Sequence, residues 1–205
     1  MTKKLKRKVG RIWLISDTHF NHAEKMIEYC DRSSVYEEVL IQSFISMIPP
    51  QDTLIHLGDF CVGKDEEMHQ KYLAPIYGKT VLIRGNHDRK SVSWYLAHGW
   101  SAVFDRVGIE CFGKKILFSH VPVKDDGWYD LNIHGHFHNS KFRYHEPELM
   151  AVKNRKHRLF CLEKIGYRPI LLQTFIQKEY GKNQNKILDK AKATIRKPSL
   201  ARKKI

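Results

Sequence analysis

Seven side chains of ligand type punctuate this chain: Asp17, His19, Asp59, Asn86, His120, His136 and His138. Each follows a short apolar run. "RIWLIS" leads into Asp17-Thr18-His19, "TLIHLG" into Asp59, and "VLIRG" into Asn86-His87-Asp88. "KILFS" leads into His120, and "LNIHG" into His136, with His138 two residues on. One histidine after a strand reads as structural. Five strand ends that each supply Asp, Asn or His do not read as coincidence. Imidazole and carboxylate together suit Mn²⁺, Fe or Zn²⁺ better than Mg²⁺ or Ca²⁺, which favour all-oxygen shells. Seven ligands exceed the needs of one open catalytic ion and fit two ions that share a bridge. Two-metal sites clamp the attacking and leaving oxygens of an in-line phosphoryl displacement.

The apolar runs are the elements that must position these residues. Residues 11–16, 53–58 and 80–85 read as buried strands, and 158–163 as a late strand. "SSVYEEVLIQSFISMIPP" reads as a helix, with Ser34 and Glu37 as a possible capping box and Pro49-Pro50 as its stop. "DEEMHQKYLAPIYG" is helical up to a break near Pro75, "SVSWYLAHG" is a short helix, and "PILLQTFIQKEY" a final one. Residues 102–120 give strands in close succession, with a hairpin turn at Gly113-Lys114. Strands alternating with helices, followed by a run of strands, predict a layered α/β domain. Its early strands should be parallel and central and its later half mainly antiparallel. Sites in such sheets form outside the carboxyl ends of the strands.

Composition narrows the class. In 205 residues, 42% hydrophobic and 28% charged, a packed core is expected and global disorder is not. No apolar run approaches the roughly 20 residues of a membrane span. The apolar stretch "IWLI" is too short for a signal peptide, so a cytoplasmic protein is expected. Cys30, Cys61, Cys111 and Cys161 are far apart and form no C-x-x-C pair, which disfavours a thiolate zinc site and a disulfide framework. The net charge of +14 is carried entirely by the ends: six positive charges in residues 1–11 and a net eight in 181–205. These basic extensions flank a formally neutral domain at 12–180. They either remain solvated or hold nucleic acid. The oligomeric state is not readable.

The blocks "SDTHF", "LGDF", "RGNHD", "FSHVP" and "HGHFH", in that order, resemble the calcineurin-like metallophosphoesterases. "RLFCLE" with "GYRPILL" resembles the closing part of the small bacterial and phage members. The resemblance implies a four-layer α/β/β/α sandwich with mixed sheets and two divalent ions, Mn²⁺ foremost, with Fe, Zn²⁺, Ni²⁺ or Mg²⁺ as alternatives. It implies that Asp17, His19 and His138 hold one ion, that Asn86, His120 and His136 hold the other, and that Asp59 bridges them. A bridging hydroxide would attack a phosphate ester, a diester rather than a monoester. His87 would protonate the leaving group, and Asp88 would orient His87. The chain departs from the pattern at Val62, where many relatives carry a second acid.

Other residues admit two readings. His22 could reach substrate phosphate or sit at a helix start. Arg84 could steer phosphate or pair with an acid. His56 and His134, inside strands, read as core histidines. The loop "KDDGWYDL" (124–131) is a substrate wall or a plain crossover. A nuclease would use the same chemistry, with the basic ends on nucleic acid and a steep salt dependence. A non-catalytic scaffold on this fold would have lost ligands, and none is missing here.

Overall fold

Strands made of near-continuous apolar residues need cover on both faces. The computed structural model describes residues 10–139 and 146–178 and supplies that cover. Strands β1 (Ile12–Ile15), β2 (Thr53–His56), β3 (Lys79–Ile83) and β4 (Ala102–Phe104) are parallel, in the order β4-β3-β2-β1. Alternation sends Trp13, Ile15, Leu54 and Leu82 to one face. There they share a buried cluster with Tyr36, Leu40, Phe44 and Tyr72. These partners come from α2 (Tyr36–Met47) and from α3 (Asp65–Met68) with its π-helical continuation His69–Leu73. Helices α1 (Ala23–Cys30) and α4 (Val92–Ala97) complete this layer. Leu14, Ile55 and Ile83 lie on the opposite face and are equally buried.

The second sheet has the order β5-β6-β7-β8: Arg106–Cys111, Lys114–Ser119, Leu131–His134 and His157–Leu159. Helix α5 (Pro147–Val152) follows β7, and β9 (Ile170–Leu171) returns to pair antiparallel with β1. The result is a four-layer α/β/β/α sandwich with two mixed sheets. The chain divides into two compact units, 1–171 and 172–205. Of the second unit, residues 172–178 are described, and they are helical. The basic extensions lie outside the described residues, apart from residues 10 and 11. Among the described residues no helix is long and apolar enough to cross a membrane.

Several expectations are corrected. The second half is not mainly antiparallel: β5–β6 is, but β6–β7 and β7–β8 are parallel. The hairpin turn falls on Phe112-Gly113, whose φ values of 52° and 68° match the mirror-image turn that suits twisted strands. The box of Ser34 and Glu37 does not form. Helix α2 begins after Val35 with no side-chain cap. Glu37 is drawn away by Asn21 N (3.2 Å) and the Tyr72 hydroxyl (3.1 Å). Strand β8 ends at Leu159 and gives way to a 3₁₀ turn at Leu162–Ile165. The final helix starts only after Leu171, because Ile170 and Leu171 pair with β1.

One polar anchor ties the start of the sheet. The buried Asp52 carboxylate accepts from Arg11 N (2.9 Å), Arg11 Nε (2.9 Å) and Trp13 Nε1 (2.8 Å). Burial alone would raise its pKa, but these bonds and the Arg11 charge outweigh it and lower the value. Asp52 therefore contributes stability that is full above the usual carboxylate pKa of about 3.9 and is lost as pH falls through the lower folded value. Asp52→Asn is expected to cost roughly 1–3 kcal/mol, read by denaturant unfolding at neutral pH. The gap between variant and wild type should narrow in acid.

Candidate metal centre

Parallel pairing brings the ligands together. The carboxyl ends of β1, β2 and β3 share an edge, and so do those of the parallel pair β6 and β7. Asp17 N donates to the Gly58 carbonyl (2.9 Å) and His19 N to that of Asp59 (3.0 Å), so the loops after β1 and β2 run side by side. The bends needed are costly. Asp17, His19, Asp59, His136 and His138 all have positive φ, between 44° and 72°. For a residue with a Cβ this costs of order 1–2 kcal/mol each. Such strain collects at functional sites. Gly85 and Gly135 give the loops room: a Cβ on Gly85 would collide with the Asp59 carboxylate, and one on Gly135 with that of Asp17.

Among the described residues the ligand-type atoms form four overlapping groups; one joins His87 to His19 and Asp59, one joins His138 to Cys30 and Glu163, and two contain only expected ligands. Asp17, His19 and His138 offer atoms within 4.8 Å of one another, and so do Asp59, His120 and His136. Asn86 joins the second group, with its Oδ1 3.1 Å from His120 Nε2 and 3.0 Å from His136 Nδ1. Those two nitrogens are themselves 3.1 Å apart. The far side of each ring has its own partner. His120 Nδ1 lies 2.8 Å from the Leu57 carbonyl, and His136 Nε2 lies 2.9 Å from Glu146 Oε2. Both partners accept, so the protons belong there and lone pairs face inward. Lone pairs converging on one point need a cation or a shared proton. Ligands roughly 2.1 Å from one ion, at right angles, stand about 3 Å apart, which is the spacing seen.

Asp59 stands between the groups. Its Oδ2 is 3.5 Å from His19 Nε2 and 3.4 Å from His120 Nε2, while its Oδ1 accepts from His87 N at 2.8 Å. Asp59 Oδ2, both His19 ring nitrogens and His138 Nε2 are buried without a hydrogen-bond partner among the described residues. Orphaned buried polar atoms are costly and call for an unseen partner. The residues present therefore fit two cations.

The electrostatics agree. Burial opposes charge on His120, but the Asp59 and Asp17 carboxylates raise its pKa to about 9. Burial and the neighbouring His138 drive His19 well below the usual imidazole value. Burial works against the Asp59 charge, yet His120 and His19 hold its carboxyl far below the usual range. A cation bound at His120 must displace a proton held with a pKa of about 9. Uptake at pH 7–8 is therefore expected to release about one proton at that position, and affinity should rise with pH up to about 9. Calorimetry in buffers of different ionisation enthalpy counts that proton. A zero count would show that His120 holds no proton on the inward nitrogen before the cation arrives.

The other expected residues are placed as follows. The half-buried His87 ring stands edge-on to His19, with centroids 5.2 Å apart. His22 lies 6.3 Å from His87 and 6.0 Å from His19, beside the first group. Asp88 is engaged elsewhere than at the His87 ring. Its carboxylate accepts from Asp59 N (2.7 Å), Gly85 N (2.7 Å) and Phe60 N (3.1 Å), lacing the loops after β2 and β3. Burial, with the Asp59 charge, raises Asp88 to about 6 against those bonds. Arg84 binds the exposed Asp105 at 2.9 and 2.5 Å. His56 is a satisfied core histidine, 3.0 Å from Thr18 Oγ1, with burial lowering it to about 3. His134 is also buried, with Nδ1 3.0 Å from the Gly135 carbonyl. Val62 takes part through its backbone: its carbonyl accepts from Asn21 Nδ2 at 2.8 Å. The 124–131 loop crosses from β6 to β7 and lays Trp128 on Gly108.

Sequence reasoning missed Arg32, Glu146 and Glu163. Arg32 is buried and bonded to Glu163 and to the backbone of Asp17 and Thr18. These residues lie outside the five blocks; Glu163 closes the quoted "RLFCLE", but nothing there assigns it a role at the site.

A sandwich whose parallel strand ends gather carboxylates and imidazoles into two adjoining groups defines a metal-dependent phosphoesterase architecture. Residues 10–187 match the family model described as calcineurin-like phosphoesterase, and the chain belongs to that family. It is 32% identical over 178 residues to the uncharacterized protein MJ1445 of Methanocaldococcus jannaschii, covering 82% of this chain and 90% of that one. It is also similar to the crystal structure of AQ665, a protein of unknown function from Aquifex aeolicus. That match has a TM-score of 0.63 and 26% identity, and covers 82% of this chain and 98% of the other.

Proposed function

We propose that this chain hydrolyses phosphodiesters with two divalent cations, Mn²⁺ foremost. The observation that carries the reading is Asp59 Oδ2, buried, without a hydrogen-bond partner among the described residues, and placed 3.5 and 3.4 Å from one imidazole of each ligand group. Asp17, His19 and His138 would hold the first cation, Asn86, His120 and His136 the second, and Asp59 both. When bound, the cations would acidify a water molecule and offset the charge of the phosphate.

The remaining roles belong to the chain. His87 keeps its ring out of the hydrogen-bond cluster of Asn86, His120 and His136 and remains half-exposed. It can therefore hold a proton at a ring nitrogen and give it to the leaving oxygen. Asp88 acts through the backbone: by fixing Gly85, Asp59 and Phe60 it sets where the His87 turn stands. His22 adds a polar group on the same side.

A diester carries a second substituent that needs room. A cavity of about 590 Å³ beside Asn86, His120 and His136 supplies it, lined also by Arg84, Arg106, Val121 and Leu149. Asp105 and Glu146 line it too, and Asp105 already holds Arg84, so the support the cavity gives is room and the apolar side chains that suit an organic ester group. The test is a screen of metal-stripped protein reloaded with Mn²⁺, Mg²⁺, Zn²⁺, Ni²⁺ or Fe²⁺. Substrates should be bis(nitrophenyl) phosphate, nitrophenyl phosphate and a dinucleotide. Diester turnover should exceed monoester turnover. A chain that binds two equivalents of metal and hydrolyses none of these would be a scaffold instead.

A further inference from the structure

Behind the first ligand group lies a buried charged pair. The side chains of Arg32 and Glu163 are 0% and 5% exposed. Arg32 Nε donates to Glu163 Oε1 at 2.8 Å, its NH1 to the Thr18 carbonyl at 3.1 Å, and its NH2 to the Asp17 carbonyl at 2.7 Å. That NH2 is also 3.1 Å from His138 Nδ1, and Glu163 Oε1 is 3.5 Å from the same nitrogen. One guanidinium thus joins the turn that bears Asp17 and His19 to the loop that bears His138. A buried ion pair is expensive to desolvate, and apolar residues could fill this space at less cost. What apolar residues could not supply is a fork of fixed donors and an acceptor for a ring N–H.

His138 Nδ1 has two neighbours of opposite kind. A guanidinium only donates, and a carboxylate only accepts. A lone pair on Nδ1 suits Arg32 and leaves the ring proton on Nε2. A proton on Nδ1 suits Glu163 and leaves the lone pair on Nε2. It is Nε2 that faces Asp17 Oδ1, at 3.6 Å, and has no hydrogen-bond partner among the described residues. Only the second tautomer can offer Nε2 to a cation.

We propose that Arg32 and Glu163 are positioning residues that set the cation affinity of the Asp17–His19–His138 group, Glu163 by accepting the Nδ1 proton of the ligating His138 tautomer and Arg32 by tying the Asp17–Thr18 backbone to Glu163. Neither touches cation or substrate. In the tautomer that could ligate, Nδ1–H would donate to Glu163 Oε1, 3.5 Å away, and Nε2 would be left with its lone pair for a cation. Arg32 keeps the two ligand-bearing segments in register throughout. The proposal rests on the dinuclear reading given above.

The test titrates the full chain with Zn²⁺ under chelator competition and follows the histidine nitrogens by ¹⁵N NMR. Glu163→Gln is the first variant. The double variant Arg32→Met/Glu163→Leu is the second, since it strands no buried charge; folding is checked by circular dichroism. Wild type should bind two equivalents, with His138 protonated at Nδ1. In both variants one equivalent should weaken about 10–100-fold, the size usual for loss of such an outer partner. The His19 and His138 resonances should then lag, while His120 and His136 respond as in wild type. The Nδ1 proton of His138 should also exchange faster, a change that loss of structural support elsewhere would not produce. Folded variants that bind both equivalents with wild-type affinity would overturn the clamp alone. Wild type binding fewer than two equivalents would overturn the dinuclear reading beneath it.

Discussion

Asp59→Asn is expected to leave the chain folded and nearly inactive, with one cation position empty at ordinary metal concentrations. The substitution keeps shape and removes the charge shared by both ligand groups. Asp59 Oδ2 lies 3.5 Å from His19 Nε2 and 3.4 Å from His120 Nε2, so its loss is felt on both sides. An amide also points N–H donors where lone pairs are needed. Removing one partner from a buried charged arrangement costs roughly 3–5 kcal/mol, which corresponds to about 10²–10³-fold or more in affinity. Elemental analysis after dialysis should find about one equivalent of metal where wild type holds two. Turnover of a diester should fall at least as far. Two tightly held cations in the variant would sink the bridging role of Asp59.

The second large effect depends on the substrate. General acid catalysis is worth about 10²–10⁴-fold, but only where the leaving group needs a proton. A nitrophenolate departs without one, and an alkoxide or ribose oxygen does not. His87→Ala should therefore lose far more rate on alkyl or nucleoside diesters than on nitrophenyl diesters, with metal content unchanged. The backbone bond from His87 N to Asp59 Oδ1 survives the substitution, so the site keeps its shape. Equal losses on both substrate types would assign His87 to phosphate positioning. Loss of metal would make it a ligand, a role its place beside His19 and Asp59 leaves geometrically open.

The candidate ligands that the structure gathers could be read from the sequence because each strand spells itself out as an apolar run and each run ends in a ligand type. Asp17, Asp59, Asn86, His120 and His136 all follow that rule, and the structure brings them to one edge. The outer partners did not show. Arg32 lies in an ordinary "CDRSS", and Glu163 in what reads as a strand end. Their meaning comes only from the tertiary packing that buries them. Glu37 illustrates the opposite failure: its spacing from Ser34 fits a local cap, but Asn21 and Tyr72 claim it. The parallel pairing of β6 and β7 was hidden for a different reason. Parallel crossovers usually need a dozen or more residues and a helix. Here residues 120–130 make the crossing without one, whereas strands in close succession are expected to pair antiparallel. An antiparallel β7 would, however, have sent His136 to the far edge, away from His120.

That crossing has a consequence for how the molecule is made. Asp17 and His136, whose carboxylate and backbone N–H meet at 3.1 Å, are 119 residues apart in the chain. No partial chain that ends before β7 holds either complete ligand group, because His136 and His138 emerge last. A growing polypeptide therefore has little with which to seize a cation out of turn. Metal would bind the finished fold and very little else, so added cation should raise the melting temperature in proportion to the logarithm of its concentration.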